Sequence, residues 1–259
     1  MKYVLFVSLI VLSALGCQDK YGDTNGATQG SSHSYPPAAG FNIDSSDAEA
    51  ILLADEVMNA MAGYADWKAT RFITWNFFGR HSLLWDKWTG DVRIEIPESK
   101  TIILVNINDS TGRAIENGVE IIDPDTLRLK YINRGVSIWI NDSYWLVMPF
   151  KLKDSGVTLK YKGEQKTQAG ENADMVQLTF ENVGETPNHK YNVYIDKNTK
   201  LVTQWDYFDD RSKTEPRFST PWQDYKIYGK ILLSGDRGKG QLTDIDVLDN
   251  VKKSKFTEF

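Results

Sequence analysis

One stretch of this chain, residues 137–150 (SIWINDSYWLVMPF), is strongly apolar without the alternation of a half-exposed strand. Pro149 breaks it near its end, and Asn141, Asp142 and Ser143 interrupt it. On both sides lie long regions in which apolar and polar residues alternate, which is typical of β-strands. The stretch therefore separates two β-rich halves and has to close the open side of a bent sheet. Whether it closes a solid core or a cavity for an apolar ligand decides the function.

Composition narrows the class of protein. Of the 259 residues, 41% are hydrophobic and 12% are aromatic, which is ample for a packed core. The net charge is -5, and charged residues of both signs are spread along the chain. Nucleic acid as a partner is disfavoured, because phosphate binding needs clustered Lys and Arg.

The N-terminus carries a targeting signal. Lys2 precedes an apolar run at residues 4–12, which is too short to span a bilayer, and LSALGC ends at the only cysteine, Cys17. This resembles a bacterial lipobox, so residues 1–16 are predicted to be a lipoprotein signal peptide and Cys17 the site of lipid attachment. An ordinary signal peptide with a chance cysteine is the alternative. Gln18, in place of the Asp that retains lipoproteins in the inner membrane, favours the outer membrane, at its periplasmic face or the cell surface.

Two regions are expected to follow. Residues 17–44 comprise the lipidated cysteine and a segment rich in Gly, Ser, Thr and Pro, predicted to be a flexible tether that contains His33. Residues 45–259 are predicted to form a single β domain.

The domain begins with an amphipathic helix at residues 48–61, capped near Asp47 and ended by Gly63. From Trp67 the apolar period changes to two, which predicts four antiparallel strands up to Asn108, one of them over residues 91–96. Residues 109–118 are predicted to be a polar hairpin or loop. A second helix is expected to start near Pro124 and to break at residues 141–143, before a lid.

The second half is again β, including one strand over residues 222–233. In total the sequence predicts about ten or eleven strands and two principal helices. The expected fold class is mainly β (α+β): a strongly bent antiparallel sheet, or open half-barrel, with helices covering its concave side.

Signatures of chemistry are missing. There is no HExxH, CxxC, GxSxG, P-loop or GxGxxG motif, so neither a cofactor nor a metal is predicted. Two acidic groups have a spacing unlike an EF-hand and are interpreted as solvated turns and strand faces: Asp206, Asp209 and Asp210, and Asp244, Asp246 and Asp249. The chain is therefore expected not to be an enzyme. A hydrolase stays open as an alternative, and it requires a buried carboxylate or His81 inside a cavity.

Aromatic residues supply the positive signal, because eight tryptophans lie in or beside the predicted strands and helices. They are equally consistent with the core of a curved sheet and with the lining of a cavity for an apolar ligand.

Three runs carry a resemblance to a known family: INDSYWLVMPFKL (140–152), YIDKNTKLVTQWDYF (194–208) and WQDYKIYGKILL (222–233). With the lipobox and the first helix, they are similar to the LolA/LolB-like outer-membrane lipoprotein-sorting superfamily, in particular to its Bacteroidetes-type lipoproteins. The similarity extends over residues 46–250. It implies an open, bent β-barrel that is covered by helices and binds acyl chains.

Carried over onto this sequence, the resemblance implies a set of ligand-binding residues on the sheet and on the lid: Ile73, Trp75, Phe77, Leu83 and Trp85, with Ile138, Trp139, Trp145 and Met148. The implied function is a non-enzymatic, membrane-anchored lipoprotein that binds a lipid, an acyl chain or another hydrophobic ligand, in lipoprotein or lipid transport. The alternative is a structural or protein-interaction lipoprotein of the cell envelope with a filled core. No protein partner is named by the sequence.

Overall fold

The computed structural model describes residues 35–181 and 187–259. The predictions for the signal peptide, Cys17 and His33 lie outside these residues. Within them the chain is mainly β, as predicted, with fourteen strands in three antiparallel sheets and four α-helices. The strands outnumber the ten or eleven expected.

The first half contains two helices and six strands: α1 (Ala48–Ala60), α2 (Tyr64–Ala69), β1 (Phe72–Phe77), β2 (His81–Asp86), β3 (Asp91–Ile96), β4 (Thr101–Asn106), β5 (Thr111–Glu116) and β6 (Val119–Glu120). The long helix α3 (Asp125–Val147) and a 3-10 turn (Met148–Lys151) follow. The second half contains eight strands and a short helix: β7 (Val157–Lys166), β8 (Asn172–Phe180), β9 (Lys190–Asp196), β10 (Val202–Phe208), β11 (Phe218–Pro221), β12 (Gln223–Tyr228), β13 (Ile231–Asp236), β14 (Leu242–Leu248) and α4 (Ser254–Thr257).

The largest sheet has seven strands in the order β14-β1-β2-β3-β4-β5-β6, so the last strand of the chain pairs with the first. The second sheet has the order β11-β10-β9-β8-β7, and β12 and β13 form a separate hairpin. Strict alternation explains β3, where Val92, Ile94 and Ile96 are buried and the residues between them are not. Its bounds match the sequence prediction.

Residues 109–118 are part of a hairpin, one of the two alternatives predicted, because β5 pairs with β4 and with β6. Two other local predictions are wrong. Trp67 lies on α2 rather than on a strand, and its ring stacks on Phe150 at a centroid distance of 4.3 Å. Residues 222–233 are not one strand, because Gly229 turns the chain with a φ of +57°.

The expected break at residues 141–143 is also wrong, because α3 runs through it. Asp142 is only 1% exposed, and the Nδ1 of His81 on β2 lies 2.7 Å from its carboxylate. Asn141 is exposed, and its side-chain amide donates to the same carboxylate at 2.9 Å. The polar residues that looked like a helix break are therefore satisfied within an unbroken helix.

The N-terminal half of α3 lies directly on the seven-stranded sheet. A Cβ added to Gly135 would come within 2.8 Å of Ile103 Cγ2 on β4, and one added to Gly112 on β5 within 2.9 Å of Ile132 Cδ1. Ile132 is fully buried. Two glycines, one on each element, thus allow a contact without a gap.

Residues 35–44, which the sequence assigns to the tether, lie against the second half of the chain. Tyr35 and Phe41 are buried, and the Tyr35 hydroxyl donates to the Phe150 carbonyl at 2.9 Å. Asn42 donates its side-chain amide to the Gly156 carbonyl at 3.1 Å. The ordered part of the chain thus begins at least ten residues before the predicted boundary at residues 44 and 45.

Candidate functional site

The C-terminal half of α3 faces the five-stranded sheet across a cavity of about 560 Å³. We call it the aromatic cavity, and it is lined by Trp139, Ile140, Asn141, Ser143, Tyr144, Trp145, Lys151, Asp154, Ser155, Val157, Phe180, His189, Tyr191, Trp205, Tyr207 and Phe218. Nine of these sixteen side chains are aromatic rings, counting His189. The question raised by the sequence is therefore answered differently along α3: a filled core under its first half and a cavity under its second.

Strand register brings the sheet side of this lining together. Tyr207 on β10 pairs directly with Tyr191 on β9 and with Phe218 on β11. Trp205 lies two residues before Tyr207, so both side chains project from the same face. Phe180 ends the neighbouring strand β8. Four neighbouring strands thus contribute one aromatic surface.

Helix α3 contributes the opposite wall. The Tyr144 ring stacks on Trp205 with a centroid distance of 5.8 Å and lies 5.5 Å from Tyr191. Trp145 meets Trp205 edge-on at 4.9 Å and stacks on Phe218 at 5.9 Å. These rings support one another in offset and edge-to-face pairs, which fixes the shape of the cavity wall.

Three polar atoms in this wall are buried and have no hydrogen-bond partner among the described residues. They are the hydroxyl of Tyr144 and the indole nitrogens of Trp139 and Trp205. Each can donate a hydrogen bond, and an unpaired buried donor costs free energy. Burial also raises the pKa of Tyr144 well above its usual value, so the phenol stays protonated and remains a donor. The cavity is thus largely apolar, and three donors without a partner lie in the side chains that form its wall.

Four other polar side chains of the lining are paired with one another. The Tyr207 hydroxyl lies 3.1 Å from the ring nitrogens of His189, and Lys151 forms an ion pair with Asp154. Partial burial lowers the pKa of His189, which favours the neutral imidazole. No uncompensated charge therefore lines the aromatic cavity among the described residues.

The sequence-predicted ligand residues divide into two groups. Trp139 and Trp145 line the aromatic cavity. Ile138 is half-buried against the core and Met148 is fully buried in it. The five residues of the first sheet belong to the packed core and line no part of this cavity: Ile73, Trp75, Phe77, Leu83 and Trp85. Trp85 does touch the lid, because its ring meets Trp139 edge-on at 5.2 Å.

Sequence reasoning missed the sheet side of the cavity, namely Phe180, Tyr191, Tyr207 and Phe218. A signal was present in the alternating aromatic residues Trp205 and Tyr207 within the run 194–208. The strand order that brings β8, β9, β10 and β11 together was needed to use it.

His81 and Asp142 form a close pair between β2 and α3, but neither residue lines the aromatic cavity. Residues 35–181 and 187–259 hold no group of three or more His, Cys, Asp or Glu side chains placed to bind a metal ion. None of the helices described is long and apolar enough to span a bilayer.

Fold and site together define an antiparallel β protein in which a helix covers an aromatic cavity. Solved structures similar to this chain include a DUF1329 family protein from Desulfovibrio piger, at 12% identity and a TM-score of 0.44, covering 80% of this chain and 96% of that one. A LolA superfamily protein from Nitrosomonas europaea is 9% identical with a TM-score of 0.37, covering 78% of this chain and 96% of that one.

A third structure is a putative outer membrane lipoprotein-sorting protein domain from Vibrio parahaemolyticus, 10% identical with a TM-score of 0.34, covering 78% of this chain and 97% of that one. No protein-family model matches the chain, and no curated protein matches it in sequence. The matched structures thus include members of the superfamily that the sequence resembles. At TM-scores below 0.5 they carry no argument about function.

Proposed function

We propose that this protein is a non-enzymatic, membrane-anchored lipoprotein of the cell envelope that binds an acyl chain or another apolar ligand in the aromatic cavity. The observation that carries the proposal is the cavity itself. Its volume of about 560 Å³ falls within the range of small-molecule sites, roughly 300–1,000 Å³. Its rings and unpaired donors suit a ligand that is largely apolar with a hydrogen-bond acceptor.

Binding needs no chemical step. Each methylene group transferred from water into the cavity contributes about 0.8 kcal/mol. The unpaired donors of Tyr144, Trp139 and Trp205 would gain a partner if an ester or amide carbonyl accompanied the chain. This favours an acylated molecule over a plain hydrocarbon.

The anchor is the second part of the proposal. Acyl groups on Cys17 would hold the protein at a membrane, because several chains on one residue give an anchor that does not readily dissociate. The sequence after Cys17 favours the outer membrane. Together, anchor and cavity are suited to receiving or presenting a lipid or lipoprotein at a membrane surface.

Cavity binding is tested by narrowing the cavity. Ser143→Leu places a larger side chain in its lining, whereas Asn133→Leu makes a similar change on the exposed face of the same helix. The native full-length protein and the two variants are purified from membranes. Lipids that co-purify with each are extracted and quantified by mass spectrometry. We expect lipid with the native protein and Asn133→Leu but not with Ser143→Leu. Equal amounts with all three, or none with any, would refute the proposal.

Anchoring is tested separately by metabolic labelling with an alkyne-bearing fatty acid. We expect the label on the native protein and none on the Cys17→Ser variant. Label on both would place the acylation elsewhere, and label on neither would remove the anchor from the proposal.

A further inference from the structure

A second cavity, of about 680 Å³, lies next to the aromatic cavity. We call it the cationic cavity, and it is lined by Phe78, Gly79, Arg80, Trp145, Thr220, Arg237, Lys239, Gly240, Gln241 and Thr243. Three of its side chains are cationic and none is acidic. Proposed lipid binding leaves this second cavity without a role.

Arg237 has a buried charge without a charged partner. It is 2% exposed, and its guanidinium donates only to uncharged acceptors. Its four hydrogen bonds are to the Ser234 hydroxyl at 2.8 Å and the Asp236 carbonyl at 2.8 Å from Nη1, and to the carbonyls of Trp145 at 2.7 Å and Ser234 at 3.0 Å from Nη2. No acidic side chain among the described residues forms an ion pair with it.

The guanidinium lies 3.6 Å from the centroid of the Trp222 ring, but two observations show that its charge lacks an anionic partner. The Arg237 Nε is buried and has no hydrogen-bond partner among the described residues. Burial lowers the pKa of the guanidinium to about 9, which marks the cost of its charge in this position. The nearest candidate counter-ion, the Asp236 carboxylate, accepts from the Gly238 amide and the Gln241 side chain instead. A buried cation in this state is stabilised by an anion.

Arg80 and Lys239 add two exposed positive charges to the same cavity. Neither makes an ion pair with any residue that the structure describes. A purely structural role for Arg237, holding the last turn of α3 through the Trp145 carbonyl, accounts for its hydrogen bonds. It does not account for two further unpaired cations around one cavity.

Trp145 is the wall that the two cavities share. On one side its indole meets Phe78 of the cationic cavity edge-on, with a centroid distance of 5.5 Å. On the other side it packs against Trp205 and Phe218 of the aromatic cavity. A single amphiphile can therefore contact both cavities by passing one side chain.

We propose that the cationic cavity binds the anionic group, a phosphate or a carboxylate, of an amphiphile whose apolar chain occupies the aromatic cavity. This inference rests on the proposed function and names its ligand class as anionic lipids. Arg80 and Lys239 would receive the anion at the opening, and Arg237 would meet it inside. Charge-assisted hydrogen bonds from arginine are well suited to both anions.

The experiment compares ligands that share a palmitoyl chain and differ in the charge of the polar group attached to it. The full-length protein purified from membranes is immobilised and its affinity for radiolabelled 1-palmitoylglycerol, palmitate and 1-palmitoylglycerol 3-phosphate is measured. We expect the two anionic ligands to bind about tenfold or more tightly than the neutral one, as for hydrogen bonds to charged groups. In the double variant Arg80→Gln, Lys239→Gln this preference should disappear.

The matched control is the double variant Lys130→Gln, Arg134→Gln, which removes the same charge from exposed positions on α3. It should retain the preference for anions. Equal affinities for the neutral and anionic ligands in the native protein would overturn the inference and leave the acyl-binding function intact. Failure of all three ligands to bind would instead contradict the proposed function.

Inorganic phosphate alone separates a lipid headgroup from a free anion. We expect millimolar phosphate to raise the Tm of the native protein slightly, and less than the phospholipid does. If phosphate alone raises the Tm as much as expected for the phospholipid and no palmitoyl ligand binds, the cavity binds a free anion. That result would overturn the proposal of an amphiphilic ligand. Arg237→Lys, which keeps the positive charge but lacks the planar guanidinium, should weaken the binding of the anionic ligands.

Discussion

The two halves of α3 cover their sheets in different ways. The N-terminal half presents Gly135 and Ile132 to β4 and β5, and the elements touch without a gap. The C-terminal half presents Tyr144 and Trp145, and the five-stranded sheet lies across a cavity. A small residue at a crossing lets helix and sheet make contact, whereas large rings that meet edge-on hold them apart.

Unpaired donors do not distinguish the two halves of α3. The contact around Gly135 and Ile132 is made by apolar side chains. The wall of the aromatic cavity contains three buried donors with no partner among the described residues, but the packed core has such donors too, at Trp75 and Trp85. What sets the two halves apart is the space beneath the helix.

The largest expected effect comes from truncating one apolar side chain at each half of α3: Ile132 on the first half, and Phe218 on the sheet opposite the second half. Ile132→Ala removes a fully buried side chain and should lower the free energy of unfolding by about 2–5 kcal/mol. Phe218 lines the cavity and is 37% exposed, so Phe218→Ala should cost less than half as much. Urea denaturation measures both. Equal costs would mean that the two halves are packed alike.

Enlarging a small residue in each half gives the next effect. Gly135→Leu drives a side chain into Ile103 and should cost about 1–3 kcal/mol even after the gain in helix propensity. Ser143→Leu enters the cavity and should change stability by less than about 1 kcal/mol while abolishing ligand binding. The contrast fails if Ser143→Leu unfolds the protein as readily as Gly135→Leu does.

Alkaline pH should act on the cavity half through its tyrosines. Burial raises the pKa of Tyr144 and Tyr191, so the folded protein keeps protons that the unfolded chain releases near pH ~10. The free energy of unfolding should therefore fall above pH ~10, by up to about 1.4 kcal/mol per pH unit for each tyrosine. Below that pH the contribution is fully present.

The test is urea denaturation between pH 8 and pH 11 for the native protein and for Tyr191→Phe. The variant should show a shallower loss of stability with pH. If Tyr191→Phe loses stability with pH as steeply as the native protein, burial in the cavity does not keep the Tyr191 phenol protonated.

The smallest expected effect is a change in the free energy of unfolding that has opposite signs when two different tyrosine hydroxyls are removed. Tyr144→Phe removes an unpaired hydroxyl and should stabilise the protein by about 1 kcal/mol, with weaker binding of ester-bearing ligands. Tyr225→Phe removes a hydroxyl that donates to the Val202 carbonyl at 2.8 Å and should destabilise by about the same amount. If Tyr144→Phe also destabilises, its hydroxyl is already satisfied in solution.

Sequence alone predicted the elements whose stability is decided locally. The strand β3 follows from alternation, and α1 from the spacing of Ala54, Val57 and Met58 together with Asp47 before it. Trp67 shows the limit of such patterns. A two-turn helix and a strand both contain so few residues that the same spacing of apolar side chains fits either. Its role became clear only from the ring of Phe150, which is distant in the sequence.

Long-range pairing accounts for the rest. Asp142 looked like a helix breaker because the sequence does not show His81 beside it. The aromatic cavity depends on the register of β9, β10 and β11, so only its α3 wall, with Trp139 and Trp145, was predicted. The glycine contacts under the first half were likewise invisible, since a glycine in a sequence does not reveal what lies opposite.

Tyr35 sets a length scale. Its hydroxyl also accepts from the Lys153 amide at 3.1 Å, which holds Tyr35 against the second half of the domain. Seventeen residues separate Tyr35 from Cys17. Even fully extended they would span no more than about 60 Å. A lipidated Cys17 would therefore keep both cavities close to one bilayer. The local concentration of lipids in that bilayer, rather than diffusion through the surrounding fluid, would then determine how often a ligand is encountered.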